Sequence, residues 1–191
     1  MKKFTYFLIV GLFSFPVFSA DEDESAGGIE EVIVTAERRA ASIQDTAISI
    51  TAFDENLIDD LNLRNQEDLQ NYIPATTIQP YDISIRGIGR MFRALGGDPG
   101  VGTYVDGAYS VDFGIASTDN GLYDVERIEI LRGPQGTLYG RNSIGGAVNF
   151  ITNKPDREFG AEVRTLVGSY GMSEAYGFIN TPVTDHLSVR L

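Results

Sequence analysis

The chain has 191 residues, one domain's worth, with 42% hydrophobic and 22% charged residues, a mix that excludes wholesale disorder and a bundle of apolar membrane helices. Lys and Arg number 15 against 27 Asp and Glu, a net charge of −12, so the chain has no electrostatic footprint for nucleic acid. There is no cysteine and a single histidine, His186, which excludes a disulfide framework, a thiolate metal site and a cysteine nucleophile.

Met1-Lys2-Lys3 is a short basic start, Phe4 to Phe18 is almost wholly apolar, and Ser19 and Ala20 are small. That order predicts a secretory signal peptide over 1–20. The apolar run is interrupted by Pro16 and falls short of the ~20 residues of a spanning helix. Cleavage after Ser19 and after Ala20 both remain open. The acidic, small stretch Asp21 to Gly28 has nothing to bury and reads as a flexible arm, taken here as 21–40.

Within that arm lies Glu31-Val32-Ile33-Val34-Thr35-Ala36. Its β-branched residues favour extended backbone. Two readings stand side by side: the first strand of the following domain, or a tethered strand that adds to a partner's sheet edge.

From 41 to 154 the pattern predicts a compact α+β domain. Ala47 to Thr51 alternates as a strand. Asp54 can cap a helix presenting Leu57, Ile58 and Leu61, and Asn65 with Asp68 resembles a capping box for a second short helix carrying Leu69 and Tyr72. Ile83 to Arg86 is a strand ended by Gly87-Ile88-Gly89. Asp106-Gly107 predicts a tight hairpin turn within Val101 to Tyr109. Arg127 to Arg132 alternates charged and apolar residues, predicting one buried face and one charged face. Gly133-Pro134-Gln135-Gly136 turns sharply, and Ala147 to Thr152 is a closing strand. From 155, Glu162 to Tyr170, Tyr176 to Asn180 and His186 to Leu191 alternate, with breaks at Gly171 and at Pro182 to Asp185. Such alternation is a weak signature of membrane β-strands, and the local pattern alone favours two more strands of a soluble sheet.

Familiar catalytic motifs are absent. Gly87-Ile88-Gly89 lacks the third glycine of a dinucleotide fingerprint, and Arg132 to Thr137 lacks the Gly-Lys-Ser/Thr that would hold phosphate. No Gly-x-Ser-x-Gly elbow occurs. Asp59-Asp60 reads as a solvated face, and His186 as a surface residue. No enzyme activity, metal or cofactor is expected.

The segment 31–36 resembles a TonB box. The run Asp124 to Gly140 closely resembles the plug signature of TonB-dependent outer-membrane receptors, and Asn142 to Thr152 continues it. Ile83 to Gly89 and Tyr104 to Gly107 match in content and order. The resemblance implies a small mixed-sheet plug with short helices, followed over 155–191 by the first antiparallel strands of a transmembrane β-barrel of the Gram-negative outer membrane. It implies that the box hangs into the periplasm, open to capture as a strand by TonB, a protein energised from the inner membrane. It also implies that pulling on that strand loosens the plug to admit a scarce ligand. A ferric siderophore is the first candidate for the ligand; haem, cobalamin and oligosaccharides are others.

Carried over by position, Arg86 and Arg132 match plug arginines that pair with barrel-wall glutamates, chemistry that suits a guanidinium fork. Tyr81, Arg90, Arg93, Tyr109 and Phe113 are placed on the ligand-facing side. The stretch after Lys154 has room for two or three strands of ~9–11 residues, whereas the smallest barrels need eight. The expectation is therefore the amino-terminal part of a receptor. The alternative is a free-standing periplasmic binding module, or a fragment without transport activity.

Overall fold

The computed structural model describes residues 32–39, 41–79, 82–90, 97–110 and 122–191, and the signal segment 1–20 and the stretch Asp21 to Gly28 lie outside them. In chain order the elements are β1 (Ile33–Val34), β2 (Ala41–Ser42), β3 (Ile50–Asp54), α1 (Glu55–Asp60), β4 (Thr76–Gln79), β5 (Asp82–Ile85), β6 (Val101–Val105), β7 (Ala108–Tyr109), β8 (Val125–Arg132), α2 (Gly136–Tyr139), β9 (Gly146–Thr152), β10 (Gly160–Val167), β11 (Ser173–Thr184) and β12 (Leu187–Arg190). This is the expected α+β arrangement: a small mixed sheet with short helices, then an antiparallel sheet of three strands.

The central sheet has the order β3-β8-β9-β6-β7. β6 and β9 run parallel, and every other pair in it is antiparallel. The strand expected to close the domain, β9, therefore lies in the middle, where both its edges are paired. Period-2 alternation sorts its neighbour β8 into two faces. Ile128 and Ile130 enter the main core with Phe53, Val148, Phe150, Leu69 and Ile85. Leu131 belongs to a second apolar cluster on the other face, with Val34, Ala36, Tyr104 and Tyr139.

The local signals act as their chemistry dictates. The Asp54 carboxylate accepts from the Leu57 N–H at 2.8 Å and starts α1, which buries Ile58 and leaves Leu57 exposed. Asn65 and Asp68 form a reciprocal capping box on a 3-10 turn over Gln66–Asn71. Leu69 is buried there, but Tyr72 is the C-cap and points out, and Ile73 takes the core place instead. The β6–β7 hairpin turns through Asp106 and Gly107, at φ 49° and 80°, the left-handed pair that a two-residue turn between twisted strands demands. Gly146 is fixed more tightly: its φ is 154°, and a Cβ there would run into the Leu131 carbonyl.

The three-stranded sheet β10-β11-β12 separates its faces cleanly. Glu162, Arg164 and Leu166 pair in register with Phe178, Tyr176 and Glu174 and face the plug, all of them lining the space between the two. The opposite positions Ala161, Val163, Thr165 and Val167 pair with Ile179, Gly177, Ala175 and Ser173, and none carries a charge. Val163 is 79% and Val167 87% exposed. Exposed aromatic residues stand beyond each end of β10, Phe159 before it and Tyr170 after it. The expected break over Pro182 to Asp185 falls at its far end: β11 continues through Pro182, which pairs with Ser188 ahead of a register shift between Pro182 and Thr184, and the chain turns at Asp185 before β12.

Candidate functional site

Residues 32–39 correct the expectation of a free arm. Val34 is 1% and Ala36 0% exposed, whereas Ile33 remains 46% exposed. β1 pairs with β2 through Ile33 to Ser42 and Val34 to Ala41, and the Ile43 N–H donates to the Val32 carbonyl at 3.0 Å. The segment lies over the second face of the central sheet, so of the two sequence readings the structure contains the domain-bound one. The reason is physical: two small apolar side chains fit the cluster around Leu131 and Tyr139, and the residue between them finds a buried carboxylate.

That carboxylate is Glu129, which is 0% exposed. The Thr35 N–H donates to Glu129 Oε1 at 2.6 Å, and the Thr35 hydroxyl donates to the same oxygen at 3.1 Å. Arg127 Nε also donates to it, at 2.9 Å, while Arg127 Nη2 donates to the Thr35 hydroxyl at 3.2 Å. Glu129 Oε2 has no partner among the described residues. The charged face expected for β8 is thus the face that the amino-terminal segment covers.

One residue further, the Tyr139 hydroxyl donates to the Ala36 carbonyl at 3.0 Å. Burial, then the nearby Glu129 charge, push the Tyr139 phenol up to about 12, so it remains a donor throughout the neutral range. Arg38 Nε donates to the Leu138 carbonyl at 2.8 Å, with its guanidinium over the Tyr139 ring. Tyr104 packs edge-on against Tyr139 and donates to its carbonyl at 2.6 Å. Tyr109 in turn packs against Tyr104, and its hydroxyl accepts from Asn142 at 2.7 Å. Asn142 also donates to Asp98, at 3.3 Å.

Burying a valine side chain contributes about 1.5–3 kcal/mol, and a hydrogen bond to a charged group about the same. Fixing the backbone of five residues costs about 5–10 kcal/mol. The contacts of 32–36 offset a backbone cost of the same order.

The three-stranded sheet meets the rest of the fold through charge. Arg164 Nη1 contacts both oxygens of Asp59 at 2.8 Å and also pairs with Glu162. Arg190 grips Asp124 through Nε, at 2.9 and 3.0 Å, and Nη2, at 2.5 Å, while lying 3.8 Å from the centre of the Phe178 ring. Tyr123 packs edge-on against Tyr176 at 4.8 Å. Between these contacts is an open cavity of about 860 Å³ lined by Asp59, Arg64, Asp124, Glu162 and Arg164 among others.

The Arg86 guanidinium reaches to 3.8 Å from where a Cβ on Gly133, the neighbour of Arg132, would stand. Among the described residues neither arginine forms an ion pair, and Arg132 Nε is buried without a partner. Of the residues placed on the ligand side, Tyr109 is half-buried in the ring cluster above, and the Arg90 N–H donates to Asp82 at 2.9 and 3.0 Å. Tyr81, Arg93 and Phe113, like Glu31 of the box, lie outside the described residues.

Sequence reasoning missed Glu129, Tyr139 and the pairs Arg164–Asp59 and Arg190–Asp124. Arg164 and Arg190 occupy inward positions of alternating strands, a signal that was present. From the sequence, Asp59 in the pair Asp59-Asp60 reads as one more solvated group.

The family model for the TonB-dependent receptor plug domain matches residues 42–147. The chain is 30% identical over 173 residues to the ferripyoverdine receptor of Pseudomonas aeruginosa, covering 88% of this chain and 20% of that protein. It is 28% identical over 200 residues to the iron-regulated outer membrane virulence protein of Vibrio cholerae, covering 94% and 29%. Among solved structures, the ferric yersiniabactin uptake receptor of Yersinia pestis superposes with a TM-score of 0.62 at 28% identity, over 75% of this chain and 23% of that one. The alcaligin outer membrane receptor of Bordetella pertussis gives 0.66 at 25%, over 80% and 27%. The chain thus spans between a fifth and three-tenths of the length of these relatives.

Proposed function

The chain belongs to the TonB-dependent receptor plug-domain family, and from that premise we propose that it supplies the plug and the energy-coupling strand of an outer-membrane receptor for active uptake of a ferric siderophore. One observation carries the reading most strongly. The sheet β10–β12 turns charged side chains to plug carboxylates and an uncharged row the other way, with exposed aromatic residues beyond both ends of β10. A segment of membrane barrel wall enclosing a plug has that pattern.

In this reading the segment 31–36 is the strand that TonB takes up by main-chain pairing. Because Val34 and Ala36 are buried, capture follows undocking. Arg86 and Arg132 await carboxylates from the remainder of the wall, and Arg90, Arg93, Tyr81, Tyr109 and Phe113 face the siderophore. Relatives named for ferripyoverdine and ferric yersiniabactin support the ligand class.

The experiment is capture of the chain by the periplasmic domain of TonB, with and without Ile33→Pro. Proline removes a ladder donor, so binding is expected to fall at least tenfold. Undiminished capture of the proline variant contradicts the reading.

A further inference from the structure

Resting on that reading, we propose that Glu129 is the positioning residue that holds the coupling strand down, so that this one buried carboxylate sets how readily the strand is released to a partner. Three donors from two segments converge on Oε1: the Thr35 N–H at 2.6 Å, the Thr35 hydroxyl at 3.1 Å and Arg127 Nε at 2.9 Å. A charged acceptor makes such bonds stronger than neutral ones.

Where Glu129 stands explains why it acts on the segment rather than on the sheet. Along β8 it pairs in register with Ala52 of β3 and Asn149 of β9, so it lies mid-sheet on the face that 32–36 covers. The main-chain ladder on either side does not depend on its side chain. Thr35 is the middle of the three residues that sit on the sheet, between the buried Val34 and Ala36. Arg127 completes the grip by donating both to Glu129 and to the Thr35 hydroxyl. Removing the segment leaves Glu129 with Arg127 beside it, its other oxygen being without a partner among the described residues in any case. Arg127 stays with the carboxylate when the segment leaves, so its charge keeps an opposite partner.

The chain contains no cysteine, so an introduced thiol reports one site alone. In the full chain, Val34→Cys reads docking of the segment, and Val148→Cys, in the main core, reads integrity of the plug. The measurement is the rate of maleimide labelling of each thiol with Glu129 intact, as Glu129→Gln and as Glu129→Leu. The expected result is a rise of at least tenfold at position 34 for Glu129→Leu, a smaller rise for Glu129→Gln, which keeps an acceptor oxygen, and no change at position 148. Unchanged labelling at position 34, or an equal rise at both thiols, overturns the proposal. Binding of TonB's periplasmic domain to the same variants separates this claim from the one beneath it. Faster labelling without tighter TonB binding upholds the positioning role of Glu129 and removes the coupling-strand reading.

Discussion

The Tyr139 hydroxyl donates to the Ala36 carbonyl at 3.0 Å, joining the helix that follows the Gly133–Gly136 turn to a residue more than a hundred positions earlier in the chain. The bond needs a protonated phenol, and burial pushes that phenol up to about 12 from its ordinary value of 10. With the folded value raised, the native state holds the proton longer than the unfolded chain. This contribution to stability is complete below pH 10, and it is lost as pH rises towards 12. Tyr139→Phe is expected to flatten the dependence between those limits. A melting temperature that falls just as steeply with pH in the variant would contradict the assignment.

The two ion pairs that join the three-stranded sheet to the rest of the fold differ in exposure. Arg190 is only 12% exposed and contacts Asp124 in two places, whereas Arg164 and Asp59 are 38% and 48% exposed. A double-mutant cycle on Arg190 and Asp124 should give a coupling of about 1–3 kcal/mol. The cycle on Arg164 and Asp59 should stay within about 0.2–1 kcal/mol. Equal couplings for the two pairs would show that burial does not decide between them.

Gly146 allows β9 to leave its turn against Leu131. With φ at 154° and a Cβ that would meet the Leu131 carbonyl, Gly146→Ala should destabilise the plug by about 2–4 kcal/mol. Gly107→Ala, where nothing lies near the added Cβ, should cost about 1 kcal/mol from backbone strain alone. Denaturant midpoints of the two variants test the ranking.

The Arg86 guanidinium lies near Gly133, the neighbour of Arg132, and neither arginine has a carboxylate partner among the described residues. If the rest of a barrel supplies those partners, Arg86→Ala and Arg132→Ala should each speed hydrogen exchange of the plug in a complete receptor. Unchanged exchange in both variants would assign the two side chains to solubility.

Much of the fold was legible because its signals are local. Asp54 caps the residue three places on, Asn65 and Asp68 cap each other, and Asp106-Gly107 closes a hairpin whose strands adjoin it in sequence. The alternation of β8 was equally readable, including which residues share a face. What the pattern could not convey was the identity of whatever covers the charged face. Thr35 and Glu129 are 94 residues apart, and neither carries a mark of the other. The choice between the two readings of 32–36 stayed open for the same reason: charge and small residues on its amino-terminal side suggest a free arm, while the carboxylate that holds it belongs to a distant strand. Arg164 and Asp59, 105 residues apart, repeat the lesson. An acidic pair on a short helix reads as solvated until a strand from elsewhere lays an arginine across it.

The most direct test places single cysteines one at a time from Val32 to Thr46 and seeks disulfide capture by TonB's periplasmic domain bearing one cysteine of its own. The account predicts capture concentrated at 32–36, alternating along the strand, and enhanced when Glu129 is replaced by leucine. Capture spread evenly through 37–46 and absent from 32–36 would contradict it.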